Sequence, residues 1–128
     1  MNFRKYKEHA PFVLRISMSF VILWFGLTNI FNPQYLVGYL PKIAYSLPIE
    51  PLTLLLINGI FEVIFGLLLL VGLFTRVVSL VLFLHILIIM FGVGYNDIAV
   101  RDFGLALATF VIFLNGPDKF CLDKKLKR

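Results

Sequence analysis

Residues 58–70 read NGIFEVIFGLLLL, an apolar run interrupted by a single carboxylate, Glu62. Here and in LVLFLHILIIMF, residues 80–91, both faces of the chain stay apolar. Strands of an outer-membrane barrel would instead alternate in polarity over roughly 10 residues. The segment is therefore read as membrane helix and the fold class as all-α.

The rest of the chain fits that reading. Of 128 residues, 60% are hydrophobic and 15% charged, with a mean hydropathy of +0.94. This lies well beyond the balance of a soluble domain. No charge occurs between Arg15 and Lys42, and further charge-free runs follow to either side of Glu62, Arg76 and the Arg101–Asp102 pair. Spans are predicted over residues 12–31, 52–74, 77–94 and 97–115, as one integral membrane four-helix bundle and one domain, 1–128. In the last span the uninterrupted apolar core, Phe103 to Leu114, rises only about 18 Å against a hydrocarbon core of about 30 Å. Arg101 and Asp102 must therefore enter the membrane.

Lysine and arginine set the orientation. Arg4, Lys5, Lys7 and Arg15 precede or open the first span, Arg76 lies between the second and third, and Lys119, Lys124, Lys125, Lys127 and Arg128 follow the fourth. Only Lys42 and Arg101 fall on the opposite side, which predicts a multi-pass inner-membrane protein with both termini cytoplasmic. The bulky TNIFNPQYL after the first apolar run is unsuited to signal peptidase, so that run reads as an uncleaved anchor. Because the basic residues flank spans, the net charge of +5 and pI near 9.6 imply no nucleic-acid partner. Tyr35, Tyr39, Tyr45 and Tyr95 fall on the outer side, at headgroup depth. The outer loop holds Pro33, Pro41, Pro48 and Pro51, which disfavour a long helix there.

Helical spacing aligns Arg15, Ser19, Ile22, Gly26 and Asn29 on one face of the first span, and Gly59, Glu62 and Gly66 on one face of the second. These stripes are expected to face the bundle interior, the glycines letting helices approach. A carboxylate at mid-bilayer costs about 3 kcal/mol on insertion scales and so requires a partner or a cavity. Asn58 lies one turn before Glu62 and can hydrogen-bond near it. Two readings of Glu62 remain open at this point. In one, Arg101 reaches it in a structural ion pair, with Asp102 as competitor. In the other, Glu62 and His85, placed at similar depth by the short Thr75–Arg76 turn, line a pocket or proton path.

Some chemistry is disfavoured. No second histidine accompanies His85 at ligand spacing, so no metal site is expected. The single cysteine, Cys121, excludes thiol–disulfide exchange within one chain. Ser17, Ser19, Thr28 and Thr109 belong to no recognisable nucleophile motif.

The ordered set LRISMSFVILWFGLTNI, GIFEVIFGLLLLVGLFTR, RDFGLALA and NGPDKFCLD resembles the DoxX family of small four-span membrane proteins through nearly the whole chain. Arg15, Glu62, Arg76, Arg101, Asp102 and Asp123 occupy motif positions of that resemblance. Asn29 stands where many members carry lysine, and Cys121 where serine is usual. The resemblance implies a link to membrane redox chemistry, through similarity to a subunit of thiosulfate:quinone oxidoreductase. With no electron carrier of its own evident in the chain, the expected role is an accessory or quinone-contacting component of a membrane redox complex. The candidate polar site is Glu62, Arg101, Asp102, His85, Asn58 and Asn29. Expected partners are the lipid bilayer and redox-complex subunits, and a homo-oligomer is compatible. The competing classes are a non-catalytic small-molecule or lipid binding or transport protein, and a membrane scaffold.

Overall fold

A computed structural model describes residues 3–40, 42–93 and 97–126. Pro41, Gly94, Tyr95, Lys127 and Arg128 lie outside the described residues. Helix is the dominant element and no strand occurs among the described residues. A short helix α1 (Arg4–Lys7) precedes α2 (Ala10–Phe31), α3 (Pro51–Val71), α4 (Thr75–Val93), α5 (Asp97–Asn115) and α6 (Leu122–Leu126). Three helical segments, Arg4–Phe31, Pro51–Val71 and Thr75–Gly92, are long and apolar enough to cross a membrane.

Proline and glycine set the helix ends. Prolines occupy the first turns of α2 and α3, where a missing N–H costs nothing. α3 ends at Gly72, whose φ of 78° accommodates a left-handed cap with N–H groups of Gly72 and Leu73 turned back to Leu68. The second span thus stops at Val71 rather than running to residue 74, and α4 begins at Thr75. Gly116, at φ 77°, and Pro117 follow α5 in the same way. Three 3₁₀ turns, Pro33–Tyr35, Val37–Tyr39 and Lys42–Ser46, build the α2–α3 connection.

α2 packs along α3 and α4 along α5, while α2 also meets α5 and α3 meets α4. Small residues allow the first pairing. A Cβ on Gly59 would sit 2.7 Å from the Gly26 carbonyl and 2.8 Å from Asn29 Cβ, so the α2 and α3 backbones nearly touch at the level of Glu62. The buried face of α2 comprises Arg15, Met18, Ser19, Ile22, Gly26 and Asn29, and that of α3 comprises Leu55, Gly59, Glu62, Gly66 and Leu69. Between Arg15 at one end and Glu62 toward the other lies an apolar layer of Met18, Ile22, Leu69, Val78, Leu82 and Ile112.

Candidate functional site

Glu62 is 7% exposed, and side chains from three helices converge on it. Asn58 Nδ2, one turn earlier on α3, donates to Oε1 at 3.0 Å, and Asn29 Nδ2 of α2 donates to Oε2 at 3.3 Å. His85 Nε2 of α4 lies 3.3 Å from Oε1, its ring packed on Phe61 with centroids 4.6 Å apart. The second and third spans therefore face each other through the pair that sequence placed only at similar depth. Asn29 is 3% exposed, and its Oδ1 is buried without a hydrogen-bond partner.

Arg101 does not reach Glu62. Its Nη2 lies 3.3 Å from Asp102 Oδ1, and its guanidinium covers the Phe25 ring at 5.3 Å. The adjacent carboxylate wins because it needs no inward extension of the long side chain, which stays 53% exposed. The ion-pair reading of Glu62 with Arg101 is corrected accordingly: the buried carboxylate is held by two amides and an imidazole.

Glu62, Asn58 and Asn29 nevertheless share a space with Arg101 and Asp102. All five line one cavity of about 790 Å³. It lies between the C-terminal half of α2, the N-terminal half of α3 and the facing parts of α4 and α5, beneath the 3₁₀ turns. Apolar side chains such as Ile22, Leu54, Ile86 and Leu105 form most of the remaining wall, together with Trp24 and Phe25. A cavity of this size and makeup, apolar with a few convergent polar groups, is what binding of a small amphiphilic molecule requires. His85 touches Glu62 from behind the wall, so it adjoins the cavity through that carboxylate.

The remaining motif positions lie at the opposite end. Arg15, 2% exposed, donates through Nε to Asp118 Oδ2 at 2.6 Å and through Nη1 to the carbonyls of Leu69, at 2.9 Å, and Leu70. A cation thus meets the negative end of α3 and a carboxylate together. Burial opposes ionisation of Asp118, but the Arg15 hydrogen bond, the Phe120 N–H and the Arg15 charge outweigh it and hold the carboxyl below its ordinary range. Asp123 accepts from the N–H groups of Phe74, at 2.7 Å, and Thr75, at 2.8 Å, capping the N-terminus of α4. Arg76 rests over Gly116, where a Cβ would come within 2.6 Å of its Nε.

Cys121 is fully buried between Thr75 and Gly72, a burial that pushes its thiol up despite the Thr75 hydrogen bond. The C-terminal segment is therefore a clasp that locks the α3–α4 turn to α2. Sequence reading missed Asp118 as the partner of Arg15. The signal was present, since Asp118 lies within NGPDKFCLD, but nothing in spacing pairs residues 103 positions apart.

The sequence profile described as DoxX matches residues 10–94. The chain belongs to the DoxX family. That range includes Arg15, Asn29, Asn58, Glu62, Arg76 and His85, while Arg101, Asp102, Asp118 and Asp123 follow it. No curated protein and no solved structure matches the chain.

Proposed function

We propose that this DoxX-family protein is a quinone-contacting, accessory component of an inner-membrane redox complex. In this reading α2 to α5 form a transmembrane four-helix bundle with both termini cytoplasmic. The excess of lysine and arginine at the terminal end supports the orientation. With that orientation the cavity lies in the outer half of the membrane.

The observation that carries the functional reading is the juxtaposition of an apolar cavity of about 790 Å³ with Glu62 in its wall. A quinone has a flat ring and an apolar tail, which suit the aliphatic and aromatic wall, and two oxygens, which need polar groups at one place. Asn58 and Arg101 carry N–H donors there, beside the acceptors Glu62 and Asp102. Glu62 and His85 are both groups that can take up or give a proton, as reduction or oxidation of a quinone demands. Electrons would come from a partner subunit.

The test is mass spectrometry of the protein extracted gently from its native membrane, with Glu62→Gln as the matched control. Co-purification of a redox subunit or a quinone, lost in the variant at normal abundance, is the expected result. A retained lipid or metabolite with no redox partner would favour a binding or transport protein. Full partner activity with Glu62→Gln would favour a scaffold.

A further inference from the structure

The polar end of the cavity has a definite hydrogen-bonding sense. Two carboxylate oxygens offer about four acceptor positions. Asn58 and His85 approach Oε1, and Asn29 approaches Oε2. Both amides present their NH₂ groups to Glu62. The Asn29 amide keeps this orientation although its own Oδ1 is left buried and unpaired. Leaving such an acceptor unsatisfied is costly, and it is tolerated where the NH₂ is held by a stronger acceptor. One acceptor position on Oε2 stays unused in a residue that lines the cavity.

The arginine of the cavity wall is turned away from Glu62. Arg101 faces Asp102 and Phe25. A ligand whose head brings only carbonyl oxygens would set acceptor against acceptor at Glu62. A ligand that brings a hydroxyl completes the set around Oε2.

We propose that the cavity recognises a hydroxyl-bearing head, its O–H donating to Glu62, so that it prefers the hydroquinone over the quinone form of its ligand. This rests on the quinone reading for the identity of the ring, while the donor requirement stands on Glu62 and Asn29 alone.

The experiment is calorimetric titration of the intact protein in lipid nanodiscs, under anaerobic conditions, with five short-tailed probes. These are an alkyl hydroquinone, the matching quinone, the hydroquinone dimethyl ether, and a redox-inert alkylphenol with its methyl ether as control. The hydroquinone is expected to bind at least about tenfold more tightly than its dimethyl ether and the quinone, as a hydrogen bond to a charged acceptor implies. In Glu62→Gln, whose amide can turn its NH₂ to the cavity, the preference should fall below about threefold or reverse. Equal affinities, or tighter binding of the quinone, in the unaltered protein would overturn the proposal without any variant. Binding of the alkylphenol but not its ether, with neither quinone form bound, would support the donor requirement while sinking the quinone reading. Binding of none of the probes would overturn both.

Discussion

Replacing Asp118 with asparagine tests the clasp that closes the terminal end of the protein. The change keeps the shape of the side chain and removes its charge. Arg15 is then left 2% exposed, with the Leu69 and Leu70 carbonyls and a neutral amide oxygen as acceptors in place of a carboxylate at 2.6 Å. Removing one partner of a buried pair costs about 3–5 kcal/mol. The negative end of α3, which Arg15 still meets, offsets about 1 kcal/mol of that. The expected loss is therefore about 2–4 kcal/mol, measured as the unfolding free energy in mixed micelles under a reversible denaturant. A paired replacement, Arg15→Met with Asp118→Leu, should recover most of it, because no uncompensated charge remains.

The pH dependence has a fixed sign. Asp118 has its carboxyl held below the ordinary value of 3.8, so its contribution is fully present above 3.8 and disappears as pH falls through the lower folded-state value. The difference between the unaltered protein and Asp118→Asn should be constant from about pH 5 to 8 and shrink only under strong acid. A loss under about 1 kcal/mol at neutral pH, the ordinary worth of an exposed pair, would refute this account of the clasp.

Other expectations follow from the same geometry. Asp123→Ala removes the cap of α4 and should cost about 1 kcal/mol, read in the same unfolding assay. Gly59→Ala places a methyl 2.7 Å from the Gly26 carbonyl, so α2 and α3 must part; a loss of about 1–3 kcal/mol is expected, with weakened ligand binding as Asn29 leaves Glu62. Cys121 should resist maleimide at neutral pH until the protein unfolds, because its thiol is buried and its ionisation disfavoured. With Cys121 replaced by serine, a cysteine at position 58 should react with an impermeant maleimide only from the side opposite the termini.

The helical class was legible because an apolar run with no period of two leaves few alternatives in a membrane. The interior stripes were legible too, since helical spacing alone places Ser19 with Asn29, or Gly59 with Gly66, on one face. The end of α3 was less so. Reading LLLLVGLFTR as continuous helix ignores that Gly72 can take the left-handed conformation, and the cap at φ 78° ended the helix early. The partners of the charges were the least legible. Glu62 had Arg101 and His85 within plausible reach, and choosing between them needs the rotation of each helix about its axis, which apolar periodicity leaves open. Arg15 and Asp118 meet only because the tail folds back after Pro117, a long-range event without local signature.

The two buried charges on these stripes differ in a way that separates architecture from chemistry. Arg15 is closed: its donors go to Asp118, Leu69 and Leu70, it borders no part of the large cavity, and an apolar layer of Met18, Ile22, Leu69 and Leu82 stands between it and Glu62. Glu62 is open: it keeps an unused acceptor position on the cavity wall. Substitution at Arg15 should therefore lower abundance and any partner's activity together, with residual activity per folded molecule unchanged. Glu62→Gln keeps the volume of the side chain and an acceptor for Asn58, so it should leave abundance near normal and remove activity alone. Parallel loss of both quantities in Glu62→Gln, measured by quantitative immunoblotting beside the activity of the proposed redox complex, would place Glu62 with Arg15 among the residues that only hold the helices together.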